Sequence, residues 1–359
     1  MESLYNLMVS GTFKVGIVAG DNRYETAVNV AKAQNLPKVE SKNAQTTNDE
    51  KKNNIVLVNG NSLVDGLSAA PLAASLNWNA RATGTAVLLS DTDSLPSATK
   101  EYLEELTEDI SKANKKYVTI NLVGGESVLS ESLVKELKGM GFNVVRFGGD
   151  NREETSIEVA EELTSSNDLF VVGGNGEADA MSIAAVAARE GNPIIVESKN
   201  GLSEKALDEI TKWKHDFDYA NGDKLSATIV GGESVVSKAT LKKLQSKDIA
   251  TDRVHGSNRQ KTNAAVIRRY YKTEGINHVV VSKDGSNNKK RDLIDALTAT
   301  SLSVQHKAPI VLGTNKLDIE QMSALNQKAN RTGVYVYQVG HGVARDVVKA
   351  IANRFSLSK

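Results

Sequence analysis

The chain has 359 residues, with 44 Lys and Arg balanced by 44 Asp and Glu, 40% hydrophobic residues and no cysteine. A formal net charge of zero leaves no whole-molecule field to attract nucleic acid or an anionic membrane, so any anion site must be local. Lack of cysteine excludes disulfides, thiolate metal sites and Cys nucleophiles, and no apolar run of about 18 residues is present to span a bilayer.

The N-terminal MESLYNLMVSGTFKVGIVAG lacks a basic leader and runs into a strand-like VGIVA. It is therefore not an intact signal peptide, and is compatible with a leader already removed. The turn GDNRYET, Gly20–Thr26, then opens a stretch with helical spacing. A polar insertion, Leu36–Asn54, reads as a solvated loop. Three further phrases follow: IVLVNGNSLVDGLSAAPLAA from Ile55, TAVLLSDTDSLPSATKEYLEEL from Thr85 and INLVGGESVLSESLVKEL from Ile120.

The same four phrases then return in the same order. NVVRF feeds GDNREET, Gly149–Thr155, followed by LFVVGGNGEADAMSIAAVAA from Leu169, NPIIVESKNGLSEKALDEI from Asn192 and TIVGGESVVSKATLKKL from Thr228. A third pass has TDRVH before GSNRQKT, Gly256–Thr262, then HVVVSKDGSNNKKRDLIDALTAT from His278, APIVLGTNKLDIEQMSAL from Ala308 and YQVGHGVARDVVKAI from Tyr337. The arginines Arg23, Arg152 and Arg259 stand 129 and 107 positions apart, about the size of an independent domain. Near-continuous apolar strands alternating with helices predict three doubly wound α/β units of about four parallel strands each. The expected units are residues 1–143, 144–250 and 251–359. The third carries a basic insertion at Gly285–Arg291 and stops after its last helix without a further strand.

In the GxNR turns, Asp21, Asp150 and Ser257 read as N-cap residues, with Glu153 and Gln260 completing a capping box in the second and third copies. The arginine then falls at the second helical position. A cation there opposes the helix dipole by roughly 0.3 to 1 kcal/mol, so it requires a partner. Two remain open: the recurring aspartates Asp65, Asp179 and Asp295, within or between units, or an anionic ligand at the helix N-terminus. The turns at Gly124, Gly125, Gly231, Gly232 and Gly340 complete neither GxGxxG nor a P-loop. The five histidines show no metal-ligand spacing, and no nucleophile and base recur together. These residues point to no enzyme, cofactor or metal. Short basic runs such as Lys289–Arg291 read as solvated faces.

Three tandem units with GDNR-x-x-T turns, a VDG or ADA step after a buried strand, and VGGES-V-x-S before an amphipathic helix resemble the type 2 cell-wall-binding repeat of clostridial surface-layer and cell-wall proteins. The resemblance runs from about Lys14 to Lys359. It implies three Rossmann-like domains packed as a pseudo-trimer, an extracellular wall or S-layer location, and noncovalent binding to an anionic secondary polymer of the Gram-positive wall. Other surface-layer subunits are further partners that it implies. The competing expectation is a phosphate- or sugar-nucleotide-dependent α/β enzyme, which rests on the glycine-rich turns alone.

Overall fold

In a computed structural model the described residues are 7–9, 13–39, 53–76, 84–163, 166–221, 224–271, 275–286, 290–326 and 334–356. Most of the polar insertion, 40–52, and part of the basic one, 287–289, lie outside them.

Two short strands come first, β1 (Leu7–Val9) and β2 (Phe13–Val18). The first unit then runs α1 (Arg23–Ala33), β3 (Asn53–Asn59), α2 (Ala69–Ser75), β4 (Val87–Ser90), α3 (Ser97–Leu106), β5 (Val118–Val123), α4 (Glu131–Met140) and β6 (Asn143–Phe147). The second repeats the order with α5 (Arg152–Glu161), β7 (Asp168–Gly173), α6 (Glu177–Glu190), β8 (Ile194–Glu197), α7 (Glu204–Asn221), β9 (Ser226–Val230), α8 (Lys238–Ser246) and β10 (Ala250–Val254). The third has α9 (Arg259–Tyr270), β11 (His278–Ser282), α10 (Ile294–Thr298), α11 (Thr300–Gln305), β12 (Ile310–Leu312), α12 (Ile319–Asn326), β13 (Val334–Val339) and α13 (Arg345–Ser356).

The strands form three sheets, ordered β4-β3-β5-β6, β10-β9-β7-β8 and β1-β2-β13-β11-β12. Every pairing is parallel except that of β1 with β2. Strands β3, β5 and their counterparts are buried along their whole length or nearly so, as sheets covered on both faces require.

The strand that feeds each GxNR turn belongs to the preceding sheet. β6 pairs with β5 and β10 with β9, so the sheets divide the strands differently from cuts before Asn143 and Ala250. In the third unit that place beside β13 is taken by β2 from the first part of the chain. Val18 lies against Val339 as Phe147 lies against Val123 and Val254 against Val230. The register is the same in all three, and one backbone hydrogen bond recurs: Gly124 N–H to Phe147, Gly231 to Val254 and Gly340 to Val18. The three units therefore close into a ring.

One apolar cluster lies at the centre of that ring and draws on all three units. It contains Ala69, Ala70, Leu72 and Ala73 of α2, Ala180, Met181 and Ile183 to Ala188 of α6, Ala296 and Leu297 of α10, Leu302 of α11, and Ala299 between them. Alanine lets these helices approach closely, and α6 packs against both α2 and α11. Each unit keeps its own outer core as well. Among the described residues no helix is long and apolar enough to cross a membrane.

Candidate functional site

The recurring residues meet where the units meet, at the carboxyl ends of the parallel strands. Within each sheet the order places the crevice between the first and third strands of the unit, where a doubly wound sheet reverses its winding. The helical segment that carries Asp65, Asp179 or Asp295 and the glycine-rich turn of one unit line that crevice. The GxNR helix of the next unit abuts it.

The GxNR turn differs from its sequence reading by one position. The N-caps are Asn22, Asn151 and Asn258, in extended backbone, rather than Asp21, Asp150 and Ser257. The Asn22 oxygen accepts from Tyr24 N at 2.9 Å and Glu25 N at 3.0 Å. Asn151 does the same for Glu153 and Glu154, and Asn258 for Lys261 at 2.8 Å. Glu25 and Glu154, three places after the caps, close a variant of the capping box: they accept from the Asn22 and Asn151 side-chain amides and from the backbone amides one residue before the caps, Asp21 N and Asp150 N, and in the third copy Lys261 takes that place. Glu153 and Gln260 are freed for another task. Buried Glu153 accepts from Ser198 N and Ser203 N, Gln260 donates to Asp284 and to Lys316 O, and Tyr24 donates to Asp91. Each ties its helix to the loop after the unit's second strand.

The threonine closing the motif has a structural role that its sequence position did not disclose. Thr26, Thr155 and Thr262 accept from the amides of Gly20, Gly149 and Gly256 at 3.0, 3.2 and 3.1 Å. The glycines are there because the turn folds back on the helix: a Cβ at any of them would come within 2.2–2.3 Å of the Cβ of Glu25, Glu154 or Lys261.

Arg23, Arg152 and Arg259 open their helices as the first helical residue, one place earlier than expected. None pairs with Asp65, Asp179 or Asp295 in a salt bridge among the described residues. Each instead donates one guanidinium nitrogen to a backbone carbonyl at the end of its own unit's first strand: Arg23 to Gly60, Arg152 to Gly174, and Arg259 to Asp284 at 2.7 Å. The rest of each fork makes no hydrogen bond among the described residues.

The aspartates sit against the glycine-rich turns. A Cβ on Gly231 would lie 2.8 Å from Asp179 Oδ2, and one on Gly340 would lie 2.1 Å from Asp295 Oδ2. These glycines have φ of +120° and +80°, so both space and backbone demand glycine. Burial pushes the Asp179 carboxyl from 3.8 to about 6, against the pull of the Thr262 hydroxyl and of Arg259 and His255, all from the next unit. Burial likewise raises Asp295 to about 6, opposed by Lys283 at 3.6 Å and by Arg23. Asp65 accepts from Ser62 at 3.2 Å. At two of the three boundaries the arginine of one unit and the aspartate of the other act on each other as neighbouring charges without a direct bond, Arg259 with Asp179 and Arg23 with Asp295, and the second of these pairs closes the ring.

The three clefts are unequal. In the first, a Cβ on Gly125 would meet Gly149 O at 2.6 Å and one on Gly148 would meet Gly124 O at 2.3 Å, so the two turns touch. In the second, nothing lies within 4 Å of a Cβ on Gly232, and His255 takes the place of Gly148. A polar cavity of about 200 Å³ opens there, lined by Asn175, Glu177, Asp179, Ser234, Asn258 and Arg259. Arg259 is also the exposed member of the trio. No group of three or more acidic or histidine ligands suited to a metal occurs among the described residues.

The model of the cell wall binding domain 2 family, CWB2, matches residues 17–134, 146–241 and 253–346. The chain belongs to that family. Each CWB2 match begins inside or just before the end of a feeding strand and ends in the helix after the glycine-rich turn, so the matched unit coincides with the elements that build one cleft wall on each side. Among solved structures, Cwp8 from Clostridium difficile superposes with a TM-score of 0.79 at 36% identity, over 96% of this chain and 52% of that one. Cwp6 from the same organism gives 0.75 at 25% identity, over 99% and 50%. N-acetylmuramoyl-L-alanine amidase LytC of Bacillus subtilis is 28% identical over 252 residues, 70% of this chain and 42% of its own length. The amidase enhancer of Bacillus subtilis is 28% identical over 251 residues, 70% of this chain and 29% of its own length. The chain thus spans about half or less of the proteins it resembles. The shared part is the CWB2 region, a wall-binding module.

Proposed function

We propose that the three CWB2 repeats hold a surface or cell-wall protein noncovalently to an anionic secondary polymer of the Gram-positive wall, outside the cell. One observation supports this reading most strongly: at each unit boundary an arginine fork has only one nitrogen engaged by the fold, and a guanidinium fork suits a phosphate or carboxylate. The sites are few and similar, as a repetitive polymer requires. Linked weak sites on one rigid body raise avidity by roughly 10² to 10⁴ over a single site, so no one cleft has to bind tightly. Neighbouring surface-layer subunits are further partners on this reading.

The test is sedimentation of the purified chain with walls that bear or lack the anionic polymer, at low and high salt. Binding is expected only with the polymer and to weaken as salt rises. Replacing Arg23, Arg152 and Arg259 by Lys, singly and together, keeps the charge but removes the fork; the triple variant is expected to lose wall binding by about tenfold or more, with avidity falling stepwise. Failure of the unaltered chain to sediment with polymer-bearing walls would sink the function, whereas unchanged binding by the triple variant would remove only the arginines from it.

A further inference from the structure

A cleft lies between β2 and α13, bordering the third inter-repeat site through His341 and Gly342 of its glycine-rich turn but lined by neither Asp295 nor Arg23. It has a volume of about 310 Å³. Its floor is apolar, made by Val15, Ile17, Val343 and Val348, and Arg345 and Lys349 stand at its rim.

The corresponding place in the other two units is occupied. Ile17 stands six residues before Arg23, where Arg146 precedes Arg152 and Arg253 precedes Arg259. Arg146 donates to Gly124 O at 3.0 Å and Leu129 O at 2.7 Å, and Arg253 donates to Gly231 O at 2.6 Å. Their side chains thereby lie across the gap between feeding strand and helix. Ile17 cannot make that bridge, and Gln338 serves the Gly340 carbonyl instead, at 3.1 Å. The connection from glycine to helix is also two residues shorter, Gly340 to Arg345 against Gly124 to Glu131 and Gly231 to Lys238.

Charge changes along with shape. The first helical residue is Glu131 in α4, bonded to Arg146 at 3.4 Å, and Lys238 in α8, paired with Glu233 at 3.2 Å. In α13 it is Arg345, which makes no ion pair or hydrogen bond among the described residues and opposes the helix dipole. Lys349, one turn later, is likewise without one and adds a like charge at i, i+4. Both are exposed, and among the described residues no carboxylate lines the cleft. Two unneutralised cations above an apolar floor describe the complement of a molecule with an anionic head and an apolar body.

We propose that this cleft binds a small amphipathic anion, its carboxylate or sulfonate held by Arg345 and Lys349 and its aliphatic or aromatic body resting on Val15, Ile17, Val343 and Val348. Binding here is independent of the wall-polymer clefts. Calorimetric titration of the full chain with octanoate is expected to give saturable one-site binding. Acetate, which has the head alone, and octylammonium, which has the body with the opposite charge, are expected to bind at least about tenfold more weakly. Ile17→Arg restores the residue that fills the other two units and is expected to weaken octanoate by about tenfold or more. Arg345→Glu with Lys349→Glu, on exposed positions that leave the fold intact, is expected to do the same and decides the matter if Ile17→Arg misfolds. The proposal is overturned if octanoate shows no saturable binding, if octylammonium binds as well, or if the double variant binds octanoate as the unaltered chain does.

Discussion

Asn151 and Asp150 are both good helix caps by residue type, which is why their sequence does not separate them; the hydrogen bonds do, since the Asn151 oxygen accepts from the Glu153 and Glu154 amides while Asp150 contributes its own amide to Glu154. Asn151→Ala is therefore expected to cost about 1 kcal/mol, seen as a lower melting temperature. Asp150→Ala should stay within about 0.5 kcal/mol. Asp179 gives a second test at this scale. Its carboxyl is raised from 3.8 to about 6 by burial, so the folded state binds the proton more tightly than the unfolded state does. The stability this adds is fully present below the unfolded value and is lost as pH rises through about 6. Asp179→Asn removes that dependence while keeping an acceptor for Thr262, so its melting temperature relative to the unaltered chain should be more favourable at about pH 7.5 than at about pH 4.5. Burial lowers the stacked His278 and His306 and acts in the opposite sense on acidification, but their contribution cancels in this difference. The recurring arginines and aspartates were legible as a set. Their relation was not, because a charge acting across a unit boundary leaves no spacing signal, and the carbonyls that hold the arginines have no residue type at all.

At the scale of elements, hydrophobic runs identified the strands and the repeated phrases gave their order, while strand membership stayed hidden. β2 and β6 each precede a GxNR turn, but pairing β2 with a strand more than 300 positions away is a nonlocal fact that no local pattern announces. A chain lacking residues 1–18 is expected to expose the edge of β13, whose Val334, Val336 and Val339 are buried, and to self-associate, as unpaired apolar edges do. Size-exclusion chromatography with light scattering would detect it. Helix α6 supplies another test. Ala184 is fully buried in the central cluster, where three units converge with no slack, so Ala184→Leu should destabilise by roughly 1 to 3 kcal/mol. The same substitution at an exposed helical site would be nearly neutral.

For the whole molecule, the CWB2 family and its pseudo-threefold architecture were readable from the order and number of the motifs. The inequality of the clefts was readable only in part: the third copy's departures stand in the sequence, yet it is the second cleft that opens, because no atom of the next unit approaches Gly232 as Gly149 approaches Gly125 in the first. Closure of the ring has one more consequence, which is mechanical. β2 runs parallel to β13, and the chain enters β2 at its amino end and leaves β13 at its carboxyl end towards α13. Tension drawn along the chain through these two strands therefore slides one past the other and loads their ladder of hydrogen bonds together, rather than peeling it open bond by bond. Under a pull applied to the chain on the two sides of the ring, the strand that closes it would therefore be among the last to yield.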